Sequence, residues 1–145
     1  MKLSMSALCD RATVREGLLH VLGAGVTVCA MRLPSPADVD LAVLLTAADY
    51  AEIEGAHKLT VSLVEVETGK KVGEIEAGWL GPPAPQDVDI PYPSLPVSVP
   101  LRALPIQNYG KHQVLIQVDG NLLDTIEFLV RDPDSVLPGV TSQPR

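Results

Sequence analysis

The sequence lacks the features of several common protein classes. It has no stretch approaching 18 consecutive apolar residues, so it predicts no transmembrane helix. Its 11 lysines and arginines are outnumbered by 18 aspartates and glutamates, which gives a formal net charge of −7, and the largest basic cluster is the pair Lys70-Lys71. Because an acidic chain repels phosphate groups, we expect it to bind neither nucleic acid nor a membrane surface.

Cysteine and histidine are also scarce. The N-terminus has too short an apolar region for a signal peptide, so we expect a cytoplasmic protein. Because that compartment is reducing, we expect Cys9 and Cys29 to be buried free thiols. A disulfide between these two cysteines is the alternative, should their strands pair. The three histidines are His20, His57 and His112, and no two of them have the spacing of a local metal-binding motif.

Motifs of catalysis are missing as well. The sequence contains no glycine-rich phosphate loop, no nucleophile elbow and no paired acidic motif. A nucleophile pair formed by Cys9 and His20 is conceivable if their strands are adjacent, but no surrounding motif supports it. We therefore expect a protein that is not an enzyme and needs no cofactor.

Branched aliphatic residues are abundant instead. The chain of 145 residues has 20 leucines, 18 valines and 6 isoleucines, together with 13 prolines and 11 glycines. So much apolar surface can offset the entropy of chain ordering, which excludes a disordered protein. So many prolines leave few long windows for helices. The composition therefore predicts a compact all-β protein.

Two β-hairpins have clear patterns. Apolar and polar residues alternate over 112–118 and again over 122–130, and Asp119-Gly120 between them is a typical two-residue hairpin turn. A second hairpin is predicted from residue 59 to residue 77, with its loop at 67–70. Its apolar alternation shifts within both strands, which indicates β-bulges.

Further strands follow from shorter patterns. Residues 18–22 and 26–31 flank Gly23-Ala24-Gly25 and look like a third hairpin, and one short helical turn is predicted over 47–53 after a Thr46 cap. The remaining predicted strands are 4–9, 39–45 and 97–101. About eight or nine short strands predict an antiparallel immunoglobulin-like β-sandwich, with a closed barrel as the alternative.

The prolines are concentrated in one connection. Residues 81–96 contain six of them, which favours an extended polyproline conformation outside the sheets. A linker between two domains is one interpretation, but too few strands follow it to build a second domain. We therefore predict a single sandwich domain over 1–131 and a flexible C-terminal tail over 132–145.

The sequence resembles a known family in its turns and strand patterns. The phrases Ala7-Leu8-Cys9-Asp10 and Glu16 to Gly25, the segment His57 to Val72 and the hairpin around Asp119-Gly120 are similar to those of small bacterial proteins of unknown function, found largely in actinobacteria. The resemblance spans most of residues 5–131. It implies a β-sandwich and carries over no catalytic or binding residue. One departure is that Tyr109 precedes Gly110, where an aromatic residue is expected after it, as in a tyrosine corner.

Two Asp-Val-Asp triplets are candidates for a metal site. Side chains two residues apart on a strand point to the same face, so the pairs Asp38 and Asp40, and Asp87 and Asp89, could converge on Ca²⁺. The alternative is that Asp38 and Asp40 face solvent opposite the apolar side of their strand. A Ca²⁺-binding or ligand-binding sandwich is accordingly the second functional hypothesis.

Exposed apolar residues are candidates for an interface. Leu44, Leu115 and Leu129 lie on the outer side of strands whose inner side is already apolar, so they could form a contact patch. Alternatively, bulges turn some of them inward. Trp79 lies with Leu80 between Gly78 and Gly81. It could be a contact residue, or it could pack over one end of the core. The leading hypothesis is a noncatalytic interaction module that binds a protein partner or a second copy of itself.

Overall fold

The computed structural model describes residues 1–81, 83 and 93–135, and this part of the chain is all-β. Two short 3-10 turns, Tyr50–Glu52 and Leu101–Ala103, interrupt the strands. The strands are β1 (Lys2–Arg15), β2 (Leu18–Ala24), β3 (Val28–Ala30), β4 (Ser35–Pro36), β5 (Asp40–Thr46), β6 (Gly55–Glu65), β7 (Lys71–Gly81), β8 (Ser94–Pro100), β9 (Pro105–Ile106), β10 (Gly110–Val118) and β11 (Asn121–Arg131).

The longer strands form two sheets that share one hydrophobic core. The first sheet has the order β2-β1-β5-β8, and the second has the order β3-β11-β10-β6-β7. All neighbours are antiparallel except β3, which runs parallel to β11. Strands β4 and β9 form a separate two-stranded sheet. The core combines side chains of both sheets, among them Leu8, Leu41, Leu45, Leu59, Leu63, Val114, Ile116 and Phe128.

The alternation read from the sequence places the core residues correctly. In β10, Val114, Ile116 and Val118 are buried, whereas the residues between them are half-exposed. In β5 the predicted apolar residues Leu41, Val43 and Leu45 are buried, and Asp40 and Ala42 on the other face are buried as well because β5 is an inner strand of its sheet. The all-β prediction is confirmed for the described residues.

The predicted hairpin at Asp119-Gly120 is confirmed. Asp119 and Gly120 have φ angles of 50° and 82°, which is the conformation that a two-residue turn of this kind needs to match the twist of its strands. The predicted bulge is confirmed in the hairpin of β6 and β7, where the register shifts between Leu63 and Val64.

The predicted hairpin of 18–22 with 26–31 is wrong. Strand β2 pairs with the second half of β1, and β3 pairs with β11 in the other sheet. The turn lies at Glu16-Gly17, where both φ angles are positive (52° and 73°), rather than at Gly23-Ala24-Gly25. The three residues after Gly23 instead lead the chain across to the second sheet, and Val26 is buried in the core there.

The predicted helix over 47–53 is reduced to the single 3-10 turn Tyr50–Glu52. Its cap is Asp49, whose side chain accepts a hydrogen bond from the backbone N–H of Glu52 at 3.2 Å. Thr46, the expected cap, is the last residue of β5. A strand already paired on both sides holds Thr46 in an extended conformation, so the cap forms three residues later.

The proline-rich connection and the tail are described only in part. Of residues 81–96, the structure describes 81, 83 and 93–96, and of the tail it describes 132–135. The single domain over 1–131 and the flexible tail over 132–145 therefore stay predictions. Pro96 and Pro100 lie in β8 at the edge of the first sheet, where a missing N–H is tolerated.

Candidate functional site

One strand of the first sheet has two successive partners. Residues 2–9 of β1 pair with β5, and residues 11–15 continue past the start of β5 and pair with β2. The two-residue turn at Glu16-Gly17 closes this hairpin, with Arg15 opposite Leu18. We call residues 11–22 the arm.

The arm has two different faces because side chains alternate along both strands. One face is apolar and consists of Ala12, Val14, Leu19 and Val21, of which all but Val14 are half-buried. The other, which we call the arm face, consists of residues that are all exposed, namely Arg11, Thr13, Arg15, Leu18, His20 and Leu22. Leu18 is 62% exposed and Leu22 is 69% exposed. The arm face therefore presents two large apolar side chains opposite two arginines.

The base of the arm is fixed by a buried carboxylate. Asp40 is only 4% exposed, and its two oxygens accept hydrogen bonds from the backbone N–H of Ala12 at 2.9 Å and from the Arg102 guanidinium at 2.7 Å. Burial of a carboxylate is tolerated when it is paired and hydrogen-bonded in this way. Asp40 thus joins β5, the arm and the turn after β8.

Asp38 lies at the same base of the arm, but its side chain is exposed. Its carboxylate lies 3.0 Å from the Arg11 guanidinium and 3.6 Å from Nε of Arg102. The hydrogen bond and the positive charge of Arg11 lower the pKa of the Asp38 carboxyl, and the same hydrogen bond raises the pKa of Arg11. The charges of two arginines and two aspartates therefore balance where the arm leaves the sheet.

The metal prediction gains no site from this arrangement. Asp38 and Asp40 are both engaged by arginines, and the alternative that both face solvent is true of Asp38 only. Asp87 and Asp89 lie outside the described residues. In the part of the chain that the structure describes, no group of three or more histidines, cysteines or acidic residues is arranged to hold a metal ion. Metal binding by the four aspartates stays a prediction.

Trp79 lies in β7, the edge strand of the second sheet, which forms a hairpin with β6. It is half-buried, packs against the core and stacks on His57, with 5.4 Å between the ring centres. Both nitrogens of His57 face acceptors, since Nδ1 lies 2.7 Å from the Asp119 carboxylate and Nε2 lies 3.1 Å from the Glu54 carbonyl oxygen. A shallow cavity of about 200 Å³ borders His57 and Asp119. The tryptophan thus closes one end of the core with a polar cluster beside it.

The His57–Asp119 contact predicts a pH dependence of stability. The hydrogen bond from His57, followed by that from the Lys58 backbone N–H, lowers the pKa of the folded Asp119 carboxyl. A lowered pKa stabilises the folded state above the pKa of the unfolded chain, and this contribution is lost as the pH falls through the folded value. Asp119→Asn is therefore expected to destabilise the protein at pH 7 by less than about 1 kcal/mol.

The measurement is urea unfolding of wild type and Asp119→Asn between pH 7 and pH 2.5. Asparagine suits the positive φ of this turn, so the substitution tests the charge rather than the turn. The difference in unfolding free energy is expected to vanish at the acid end. A difference that is constant over the whole range would contradict the assigned hydrogen bond.

The predicted leucines do not meet in one patch. Leu44 lies in β5 of the first sheet, opposite Met5 and Pro96, whereas Leu115 and Leu129 lie in β10 and β11 of the second sheet. All three leucines are half-buried. Their role in an interface stays a prediction, and more strongly exposed leucines are found in the arm.

The arm leucines were missed because their partner strand was assigned wrongly. The sequence pattern pairs residues 18–22 with 26–31, and this pairing gives Leu18 and Leu22 no relation to Arg11 or Arg15. The signal that could have found them is the alternation on both sides of Glu16-Gly17, with the apolar residues of one face at equal distances from that dipeptide.

The two cysteines are buried, and no disulfide joins them. Cys9 is fully buried, its thiol donates to the Asp40 carbonyl oxygen at 3.4 Å, and burial, reinforced by the charges of Asp40 and Asp10, raises its pKa. His20 pairs with Thr13, four residues further along β1, or roughly 13 Å away at strand spacing. The structure therefore does not bring Cys9 and His20 together.

In the described residues, no helix is long and apolar enough to cross a membrane. A cytoplasmic location stays a prediction from the sequence.

Comparisons with known proteins give a family and distant likenesses to solved structures. The model of the "Family of unknown function (DUF6941)" matches residues 4–131. No curated protein matches the sequence. A solved structure of Pseudomonas fluorescens alkylpurine DNA glycosylase AlkC, bound to DNA containing an abasic site analog, is similar at 16% identity with a TM-score of 0.38. That alignment covers 87% of this chain but only 30% of the glycosylase chain, and so weak a likeness carries no argument about function.

Proposed function

The chain belongs to the DUF6941 family of unknown function, and from its own geometry we propose that it is a noncatalytic interaction module whose contact surface is the arm face. The observation that carries this proposal is the exposure of Leu18 and Leu22 on the same face of one hairpin. Leu18 and Leu22 lie on either side of His20 on this face, and two leucines that both expose most of their surface are costly in water unless a partner covers them.

The composition of the arm face suits protein contacts. Leucine side chains supply apolar area to the centre of an interface, and arginine is enriched in interfaces because its planar guanidinium both stacks and donates several hydrogen bonds. Arg15 has no carboxylate within ion-pair distance among the described residues. It is therefore available to a partner, whereas Arg11 is held by Asp38.

The base of the arm makes this surface rigid, which favours binding. Asp40 holds the Ala12 backbone in place, and Ala12, Leu19 and Val21 of the arm are half-buried. A contact surface that is already ordered loses less conformational entropy on association.

Absence of catalysis is part of the proposal. Both described cysteines are buried, and the pKa of Cys9 is raised by its burial, which makes its thiol unreactive. Both nitrogens of His57 are occupied by acceptors of the protein itself. These features support a role in binding.

We also propose that the two sheets form an immunoglobulin-like sandwich. The order β1-β5-β8 opposite β11-β10-β6-β7 corresponds to three strands of one immunoglobulin sheet and four of the other, with the arm as an insertion after the first strand. Chain termini and hairpin ends of such sandwiches commonly carry binding surfaces. The bacterial origin implied by the family resemblance remains a prediction.

The proposal is tested by photo-crosslinking in cells of the source organism. A benzophenone amino acid is placed at Leu18 in one variant and at Leu80 in another. Leu80 is the matched control because it is 79% exposed on a strand far from the arm. We expect a discrete covalent adduct with the probe at position 18 and none with the probe at position 80.

A second substitution distinguishes a specific interface from random collision. Leu22→Ser in the variant with the probe at position 18 is expected to reduce the adduct at least fivefold, because it removes the neighbouring apolar contact. If the probe at position 18 gives no adduct, or gives one that Leu22→Ser leaves unchanged, the arm face is not the contact surface.

A further inference from the structure

The edges of the two sheets differ in how they are protected against pairing with another strand. Natural edge strands carry prolines, charges or bulges, or are very short, because an open edge pairs readily with a further strand. Of the described edges, β8 has Pro96 and Pro100, β7 has charged residues and a bulge, and β3 has three residues.

Strand β2 has none of these protections. Its seven residues, Leu18–Ala24, include no proline and no residue of fixed charge, and five of the seven are exposed. It lies at the end of the sheet order, so no described strand pairs with its outer edge. An apolar edge of this length is unusual unless a strand from another molecule covers it.

The hairpin turn determines which backbone groups point outward. In a two-residue hairpin the closing pair, here Arg15 and Leu18, exchanges hydrogen bonds, and pairs then alternate along the ladder. Residues 18, 20 and 22 therefore direct their N–H and C=O groups to β1. Leu19 and Val21, and Gly23 after them, direct theirs to the outer edge.

We propose that this edge pairs with β2 of a second copy of the chain, as an antiparallel dimer with Val21 on the two-fold axis. Val21 is the central residue of β2, so this register pairs the whole strand. It also places outward-directed residues opposite one another, since Val21 meets Val21 of the partner and Leu19 meets residue 23. The proposal rests on the proposed function and names the partner of the arm.

The arm lacks the excess negative charge of the rest of the chain, so its edge is a place where two copies can approach without strong repulsion. The chain has a net charge of −7, which opposes the approach of two copies through most surfaces. Residues 11–24 contain two arginines and one glutamate and therefore have a net charge of about +1. In the proposed register the only titratable side chain of the new ladder is His20, opposite Leu22, so no like charges meet. Leu18 and Leu22 of both copies would lie on one face of the new ladder, with the two His20 side chains between them.

The first test is the mass in solution, measured by light scattering after size exclusion. Wild type is expected at twice the monomer mass, and Val21→Pro at the monomer mass. Proline removes the outward N–H of residue 21 without touching a hydrogen bond to β1. Leu80→Ser is the control, and it is expected to stay dimeric. Circular dichroism and urea unfolding establish that the proline variant is folded.

The second test is a disulfide across the axis. Paired residues of antiparallel strands have Cα atoms about 5.5 Å apart, within the range that a disulfide spans. Val21→Cys is therefore expected to give a covalent dimer on mild oxidation. Val14→Cys, on the same face but in β1, is the matched control and is expected to stay monomeric on a denaturing gel.

The outcomes separate this inference from the proposed function. A monomeric wild type overturns the inference, and so does a dimer that Val21→Pro leaves intact or a Val21→Cys variant that does not cross-link. If the photo-adduct at position 18 nevertheless forms and has a mass other than twice that of the chain, the arm binds another protein and the proposed function stands. If no adduct forms and the dimer is absent, both are wrong.

Discussion

Gly81→Ala is expected to lower the free energy of unfolding by about 3 kcal/mol, at the upper end of the range for overpacking. Gly81 ends β7 opposite Gly55, and a Cβ atom at this position would fall on the backbone carbonyl of Ile53. A flexible side chain could turn aside, but a backbone carbonyl can move only if the chain before β6 moves with it. The measurement is urea unfolding at neutral pH.

Gly78→Ala in the same strand is the matched control. The nearest atom to a Cβ at Gly78 is the His57 carbonyl oxygen at 3.8 Å, which is an ordinary contact. Because alanine restricts the unfolded chain more than glycine does, this variant is expected to be as stable as wild type or slightly more so. Equal stabilities of the two alanine variants would show that the Ile53 carbonyl does not lie as close to Gly81 as described.

Arg102→Met is expected to destabilise the protein by about 2–3 kcal/mol, because it leaves the buried Asp40 carboxylate without its charged partner. The range lies below that for a fully buried pair because the Arg102 side chain is 41% exposed, so water partly replaces it. Ala12 would still donate to Asp40. Amide hydrogen exchange at Ala12 reports whether the base of the arm loosens with the loss.

The control is a double-mutant cycle with Asp40→Asn. Asparagine removes the charge and retains an oxygen that can accept from Ala12. The double variant is therefore expected to be more stable than Arg102→Met alone, with a coupling energy of about 1 kcal/mol or more. If the two single effects simply add, Arg102 and Asp40 do not stabilise each other.

The sequence predicts those parts of the fold that depend on neighbours in the chain. Asp119-Gly120 and the alternation on both sides of it are enough to place β10 and β11, because turn and strands are local. The strand 18–22 was recognised but was paired with the wrong partner. Two glycine-containing turns compete there, and only the crossing of β3 to the second sheet decides between them.

In the candidate site too, features that depend on residues distant in the chain could not be predicted from the sequence. Asp38 and Asp40 are two residues apart, so an alternating pattern places both on one face and predicts that Asp40 is exposed as Asp38 is. Asp40 is buried because Arg102, 62 residues further along, arrives beside it. The arm face could not be read from Leu18 and Leu22 alone, because exposure depends on which strand lies opposite and on which face remains uncovered.

The two buried thiols lie in different sheets, Cys9 in β1 and Cys29 in β3. Each thiol can react with a reagent in solution only when the structure around it opens. The labelling rate of each cysteine therefore reports how often its own sheet opens. Their labelling rates, read separately by mass spectrometry of the fragments, would distinguish a molecule that opens one sheet at a time from one that opens as a whole. The distinction needs no introduced probe, because the native chain has one buried thiol in each sheet.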